Sequence, residues 1–272
     1  MTVPVAVPRR AASAILLRDD PSRGEFEVFM LRRPDDARFA PGAYSFPGGV
    51  LDDEDHAAAQ RLVRPLPAGM TVADLHARLR GDGPFASPDA ETSASLLCCA
   101  ARELFEETGV LAARDAALQS ATLDDQAHWS SSRDDVLAGT LPFDDLLAAA
   151  GLTLAPDDLI YFSHWITPEQ SRLRFDTHFF VATLPPGQVA THWPGEMADG
   201  EWLTPREGLA RHAIGRMPML SVQVRHLERF GGFATLAALL DYARTKPIHP
   251  IVPRMGPNGR EAGLPEEIAG CW

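Results

Sequence analysis

One helix constrains the fold of this chain more than any other part of its sequence. Over Ala94–Thr108 apolar residues recur at helical spacing, and Gly109 is a typical C-terminal stop. Glu103, Glu106 and Glu107 stand at positions i, i+3 and i+4, so three carboxylates share one face within a single turn. The helix must therefore bury one side in a core while another side concentrates negative charge.

These crowded carboxylates need a compensating charge. Like charges at this spacing destabilise a helix at neutral pH, and hard divalent cations such as Mg²⁺ and Mn²⁺ prefer oxygen ligands. Arg102 precedes Glu106 by four residues, a position from which it can orient that carboxylate. From these residues alone, two interpretations stay open: a solvated acidic helix end, or a cation site.

Composition narrows the class of partner. The 272 residues include 37 acidic and 25 basic ones, for a net charge of −12, which does not attract nucleic-acid polymers or anionic membranes. The longest strongly apolar run near the start, Ala11–Leu17, is too short to span a bilayer. Three cysteines without metal-binding spacing predict reduced thiols and a cytoplasmic location.

Strand and helix patterns are mixed along the chain. Strands are predicted at Ala12–Leu17, Glu25–Leu31, Tyr44–Phe46, Leu159–Ile166, Arg174–Ala182 and Glu201–Leu203, and further helices at Asp124–Leu137, Phe143–Ala150, from Pro205, Ser221–Phe230 and Phe233–Ala243. Between Asp52 and Ser93 the pattern is loose, and only Val72–Leu79 reads as a short helix. We expect an α/β or α+β fold with one main domain, residues 1–245, and a tail, 246–272, packed on it.

Residues Arg102–Val110 resemble the second half of the Nudix box, Arg-Glu-apolar-x-Glu-Glu-x-Gly-apolar, at every fixed position. The first half of the box is Gly, five residues, then Glu; here Gly49 is followed six positions later by Asp55, an acid but not Glu. Pro47-Gly48-Gly49 is similar to the glycine loop that opens the box, where missing side chains let backbone and phosphate approach closely. The 46 residues 56–101 separate the two halves where the family has seven, which predicts an insert of about 39 residues, assigned to about 56–93.

Further motifs resemble the peroxisomal coenzyme A diphosphatase group, whose Nudix box is also split by a long insert. They are Phe39–Asp52, His164–Pro168, Arg174–Thr177, Pro253-Arg254 and Leu264-Pro265. Arg38, Gly42 and Phe46-Pro47-Gly48-Gly49 also repeat the end of a signature of coenzyme A-cleaving Nudix enzymes. The resemblance implies a Nudix-type α/β/α sandwich with a mixed sheet and an added helical or loop insert.

The resemblance also implies a function. It is that of a metal-dependent pyrophosphohydrolase that cleaves a nucleoside diphosphate linked to another group, with Mg²⁺ or Mn²⁺ as cofactor. Coenzyme A or acyl-coenzyme A, giving 3′,5′-ADP and (acyl-)4′-phosphopantetheine, is the first choice of substrate. The alternatives are ADP-ribose or a dinucleotide as substrate, and a non-catalytic Nudix-fold sensor of a nucleotide metabolite. The expected partner is a small molecule rather than a nucleic acid or a membrane, and a homodimer stays open.

Site residues follow from the same resemblance. Glu103, Glu106 and Glu107 are the expected metal ligands, and Arg102 and Glu103 belong to the expected catalytic set. Glu196, in a glycine-containing loop ahead of a strand, competes with Glu103 for the role of general base, and its other interpretation is a solvated loop acid. The expected substrate-binding residues are Arg38, Gly48, Gly49 and Arg174. His164 and His178 show no ligand spacing, so structural roles are predicted for them.

Overall fold

A computed structural model describes residues 6–62, 88–256, 261–266, 268 and 272. The predicted helix Val72–Leu79 lies outside these residues, as does much of the predicted insert. Within them the fold is built on a mixed sheet of eight strands, with two small two-stranded sheets beside it. The strands are β1 (Arg9–Asp20), β2 (Glu25–Arg32), β3 (Tyr44–Ser45), β4 (Gly48–Val50), β5 (Ala113–Arg114), β6 (Thr153–Leu154), β7 (Ile160–Ile166), β8 (Phe175–Thr183), β9 (Asp199–Leu203), β10 (Pro250–Ile251), β11 (Arg254–Met255) and β12 (Glu261–Gly263).

Strand β1 is the centre of the large sheet, whose order is β10-β7-β8-β1-β2-β3. It forms the predicted antiparallel hairpin with β2, pairing Leu17 with Val28. Its first half pairs in parallel with β8, where Ala12 lies beside His178, and antiparallel with β4, where Ala12 lies beside Gly49. Strand β9 pairs with β2. These pairings fix the glycine loop of β4 against the most central strand.

Helices cover both faces of the sheet. They are α1 (Asp53–Leu62), α2 (Ala90–Thr108), α3 (Gln126–Leu137), α4 (Phe143–Ala149), α5 (Pro205–Ala213), α6 (Ser221–Phe230) and α7 (Leu236–Thr245). One core joins Leu16 of β1 to Leu97 of α2, and the other joins Ile15 of β1 to Leu227 of α6 and Leu239 of α7. Alternate residues of β1 thus face opposite cores. The predicted α/β/α sandwich with a mixed sheet is confirmed.

Helix α2 confirms the most constraining prediction and extends it. It begins at Ala90, four residues before the predicted start, because the Asp89 side chain caps it by accepting the Thr92 N–H at 2.7 Å. It ends at Gly109, which adopts the left-handed conformation (φ 72°) and donates its N–H to the Phe105 carbonyl. The side chains between these caps are almost all buried, so the helix runs through the core.

Helix α1 corrects the prediction of loose structure after Asp52. Its first turn is acidic and Arg61 lies in its last turn, an arrangement that suits the helix dipole. Asp52 and Asp55 cap each other, since each carboxylate accepts the backbone N–H of the other residue at 3.0 and 3.2 Å. Within residues 53–61, the part of the helix whose side chains the structure describes, the buried apolar residues are the small Ala58 and Ala59, which form no apolar stripe that the sequence would show.

The C-terminal segment packs on the body of the protein, since Ile248, Ile251, Leu264 and Ile268 are buried and β10 pairs with β7. The division into a domain at 1–245 and a tail at 246–272 stays a prediction. Among the helices of the described part of the chain, none has the length and apolar character needed to cross a membrane.

Candidate active site

A buried ion pair joins the two distant halves of the carboxylate motif. The Arg102 guanidinium donates to both oxygens of Asp55, from Nε at 3.0 Å and from Nη2 at 2.9 Å. Asp55 is only 2% exposed, and its helix α1 packs against α2. Arg102 Nη1 also donates to Glu103 Oε1 at 2.8 Å and to Glu106 Oε2 at 3.0 Å. One guanidinium therefore orients three carboxylates from two helices.

The glycine loop closes over the other side of the same carboxylates. A Cβ atom on Gly49 would overlap the Glu103 carboxylate, and one on Gly48 would lie 2.7 Å from the Ala12 carbonyl oxygen and 2.8 Å from Ser13 Cα. The Gly48 N–H donates to Glu107 Oε2 at 3.1 Å. Both positions thus require glycine because backbone or carboxylate comes too close for a side chain.

Burial raises the pKa values of all three glutamate carboxylates. It raises the pKa of Glu103 to about 8 and that of Glu107 well above its usual value, and it also raises the pKa of Glu106. Arg102 opposes the shift at Glu103 and Glu106, and the Gly48 N–H opposes it at Glu107. Ionisation of all three glutamates is therefore unfavourable in this site, and a bound cation would stabilise their charged forms.

Glu196 lies at the edge of this cluster. It is an exposed residue in the turn that follows Trp193, whose carbonyl accepts the Glu196 N–H at 3.1 Å. Its charge contributes to the raised pKa values of Glu106 and Glu107, so it lies within electrostatic range of both. The structure thus brings one more acidic side chain to the carboxylates from a segment nearly 90 residues further along the chain.

The two arginines predicted to bind substrate are placed differently. Arg38 is exposed on the loop that precedes the glycine loop. Arg174 is buried, and its guanidinium donates to the carbonyls of Thr167 at 3.0 Å and Ala6 at 2.7 Å. Among the described residues, no hydrogen bond or ion pair connects either arginine to the carboxylates. Arg174 therefore acts on the backbone in this structure.

Arg33 is a basic residue that lies closer to the carboxylates. Its charge opposes the raised pKa of Glu107. Its Cζ lies 5.8 Å from the centre of the Phe39 ring, and Phe39 in turn makes an edge contact with Phe175 at 5.5 Å between ring centres. All three side chains are half-buried, so a basic and aromatic surface stands beside the glycine loop.

A second polar cluster, formed by His164, Asp176 and His178, was not predicted from the sequence. The rings of His164 and His178 stack with centres 4.2 Å apart, and His164 is hydrogen-bonded to the Asp176 carboxylate. His178 contacts the Tyr161 hydroxyl at 3.0 Å, and its Nε2 lies 3.8 Å from Asp176. Ligand atoms of His164, Asp176 and His178 lie within 4.8 Å of one another, and in the described ranges no other such trio of metal-ligand residues is this compact. Asp176 and His178 are two residues apart on β8, and His178 lies opposite His164 on β7. The pairing of the two strands brings the three side chains together, and spacing along the chain does not reveal that pairing.

Known proteins resemble this chain both in sequence and in fold. The family model described as NUDT19 Nudix domain matches residues 6–230. A human protein named acyl-coenzyme A diphosphatase NUDT19 is 28% identical over 273 residues, which cover 85% of this chain and 70% of that protein. The Xenopus laevis protein of the same name is 26% identical over 239 residues, covering 79% and 62%. The chain spans 60% and 62% of the length of the first two curated relatives it matches. The crystal structure of a NUDIX hydrolase from Alicyclobacillus acidocaldarius aligns with a TM-score of 0.67 and 25% identity over 88% of this chain and 97% of that one.

Proposed function

Because this chain belongs to the Nudix hydrolases, in the family of the NUDT19 Nudix domain, we propose that it cleaves the diphosphate of coenzyme A or an acyl-coenzyme A. The products are 3′,5′-ADP and 4′-phosphopantetheine or its acyl form. Family and relatives make the chain a hydrolase that acts on pyrophosphate bonds. The names of the relatives support the choice of coenzyme A among the diphosphates that such a hydrolase can cleave.

The observation that carries the proposal is that the two separated parts of the carboxylate motif meet in one site. Arg102 binds Asp55 across the long insert and holds Glu103 and Glu106, while the Gly48 N–H holds Glu107. A protein that only senses a nucleotide has no need for three largely buried acids whose ionisation destabilises the folded state. The site therefore favours an enzyme over a sensor.

The donor set of this site suits a hard divalent cation. Glu103, Glu106 and Glu107 offer carboxylate oxygens, the ligands that Mg²⁺ and Mn²⁺ prefer, and Arg102 balances only part of their charge. Nudix enzymes generally use divalent metals, and we assign these three residues as the ligands. When bound, such a cation stabilises the charge that develops on the diphosphate and increases the acidity of a water molecule.

The chain's own residues supply the remaining parts of the reaction. Arg102 keeps the carboxylates in fixed positions, and Gly49 lets the Glu103 carboxylate lie directly against the loop backbone. The resemblance of Pro47-Gly48-Gly49 to the Nudix glycine loop supports a role for Gly48 and Gly49 in binding the diphosphate. A general base must accept the proton of the attacking water. Glu103 lies inside the carboxylate cluster and is held by Arg102, whereas Glu196 is exposed to solvent at the edge of the cluster. Both stay candidates for this role.

Basic and aromatic side chains support recognition of an adenosine diphosphate group. Arg33 and Arg38 flank the glycine loop and supply positive charge for phosphates. Phe39 and Phe175 present ring surfaces next to Arg33 that suit stacking with adenine. We assign phosphate binding to Arg38 and Arg33. Substrate binding by Arg174 stays a prediction, and in this structure its guanidinium donates to two backbone carbonyls.

A substrate panel tests the function. The protein is incubated with Mg²⁺ or Mn²⁺ and one of four substrates: coenzyme A, acetyl-coenzyme A, ADP-ribose or NADH. The products are separated by chromatography and identified by mass spectrometry. Cleavage of the first two into 3′,5′-ADP and a phosphopantetheine is expected. Cleavage of ADP-ribose with intact coenzyme A would favour the alternative substrate class, and binding without any cleavage would favour a sensor.

The metal-ligand assignment is tested by Glu106→Gln. This change keeps the shape of the side chain but removes its charge, and we expect turnover to fall by at least 100-fold with an unchanged circular dichroism spectrum. Glu228→Gln, on α6 at the opposite face of the protein, is the matched control and should retain wild-type turnover. Full activity of Glu106→Gln would refute the assignment.

A further inference from the structure

Arg133 is a buried arginine on α3 that the reaction described above does not use. It is 5% exposed, although it follows three serines in a polar stretch of sequence. Its Nε donates to the Glu106 carbonyl at 2.7 Å, and its Nη2 donates to the Thr191 carbonyl at 3.2 Å. Next to these bonds, the Thr191 N–H donates to the Thr108 carbonyl at 2.9 Å. One side chain therefore links the end of the carboxylate helix to the segment that leads to Glu196.

The contacts continue from Arg133 to the Glu196 turn. The Arg133 Cζ lies 5.1 Å from the centre of the Trp193 ring. Trp193 packs on Gly195, where a Cβ would lie only 2.8 Å from the indole Nε1. The Trp193 carbonyl accepts the N–H of Glu196 at 3.1 Å and that of Met197 at 2.8 Å. An unbroken series of contacts thus connects α2 to the backbone on both sides of Glu196.

Charge and shape explain why an arginine occupies this position. Burial lowers the pKa of Arg133 to about 10, against the opposing effect of Asp134, Glu107 and Glu196, so the guanidinium stays charged at neutral pH. Its planar fork donates to two carbonyls in different segments while its face stacks on an indole, which the single ammonium of lysine cannot do together. It also covers Gly109, since a Cβ there would lie 3.2 Å from Nη1.

We propose that Arg133 is a positioning residue that fixes the Glu196 turn against the carboxylate helix. Glu196 is exposed and sits in a turn, so without an anchor its carboxylate would sample many positions relative to Glu106 and Glu107. Arg133 restricts these positions by holding Thr191 and Trp193. The consequence for turnover rests on the proposed function, whereas the effect on the turn does not.

Hydrogen exchange followed by mass spectrometry tests the anchoring directly. In Arg133→Met, amides in peptides that cover residues 191–197 should exchange at least 10-fold faster than in the wild type, and Arg133→Lys should lie between the two. Arg114→Met is the control, because Arg114 binds Asp158 and the Leu118 carbonyl away from this turn. If Arg133→Met does not fold, Arg133→Lys takes its place, because lysine keeps the charge but loses the planar fork, and it should accelerate the same amides. Wild-type exchange at 191–197 in a folded Arg133→Met, or in Arg133→Lys when that variant replaces it, would overturn the proposal.

Kinetics separate positioning from a merely structural role. We expect kcat of Arg133→Met to fall at least 10-fold well below its melting temperature with KM within about twofold, and Arg133→Lys to restore part of the loss. In a Glu196→Gln background the same change should have little further effect, because its target is already absent. Fully additive losses would overturn the link to Glu196. If the wild type cleaves no diphosphate, the proposed function fails, and hydrogen exchange alone then decides on Arg133.

Discussion

Replacing Asp55 with asparagine should destabilise the protein strongly, because it breaks the ion pair that joins α1 to α2. Asparagine has the same shape but leaves Arg102 facing a neutral amide in a buried position. Removing one partner of a buried pair usually costs about 3–5 kcal/mol. Arg102 retains Glu103 and Glu106 as acceptors, so we expect the lower end, about 3 kcal/mol in the free energy of unfolding.

Urea unfolding at about pH 8 measures this loss, and thermal unfolding provides a second estimate. For a protein of this size 1 kcal/mol corresponds to about 2–4 °C, so the melting temperature should fall by about 6–12 °C. The control is Glu54→Gln, an exposed acid in the same helical turn, which should change the free energy of unfolding by less than about 0.5 kcal/mol.

The same variant should also lose turnover, since Arg102 orients the carboxylates while bound to Asp55. We expect a loss of at least 10-fold in kcat at a temperature where the variant is folded. A folded Asp55→Asn within about 1 kcal/mol of the wild type and with wild-type turnover would refute the reasoning. The ion pair would then be a contact that neither holds the helices together nor supports the site.

Further predictions concern the glycine loop and the carboxylates. Gly49→Ala should mainly lower kcat, because its Cβ displaces the Glu103 carboxylate, whereas Gly48→Ala should mainly lower the melting temperature, because its Cβ meets backbone; activity and thermal unfolding of both variants check this contrast. In metal-free buffer, stability should fall as pH rises from about 5 to about 8 and level off above that, since Glu103 binds its proton more tightly when folded (pKa about 8) than in the unfolded chain (about 4.5). Thermal scans should show this decline weakened in Glu103→Gln and by added Mn²⁺; no change in either would contradict the buried-acid interpretation. The kcat–pH profiles of Glu103→Gln and Glu196→Gln should identify the general base. It is the residue whose replacement abolishes the rise of kcat with pH on the acidic side of the profile.

Local signals explain which elements could be predicted from the sequence. Helix α2 has apolar periodicity and a glycine stop, and the hairpin of β1 and β2 has two apolar runs around a turn-rich segment. Helix α1 has neither, because its burial depends on contacts with α2 that small alanines are sufficient to make. Tertiary contacts therefore stabilise a helix that local pattern does not indicate.

The candidate site shows the same division. Its carboxylates were visible as one face of a helix, and an acid at position 55 was visible as part of a split motif. The sequence did not show that Arg102 joins them, because this contact depends on the packing of α1 on α2. Arg133 reads as a surface residue in a polar helix, and only its contacts with Glu106 and Thr191 show its burial. Pairings over such separations depend on the whole fold, which a single sequence does not specify locally.

The packing of α1 on α2 also has an entropic consequence. Along the chain, 26 residues separate Leu62, where α1 ends, from Asp89, which caps α2, and the two helices are held together by their packing and by the Asp55–Arg102 pair. In general, the free energy of closing a chain segment between two fixed points grows with the logarithm of its length, by about 0.6 kcal/mol for each doubling. A connection several times shorter or longer would thus change the stability of the junction by little. Chain length between the helices is therefore expected to have little effect on stability, provided that α1 and α2 keep their packing.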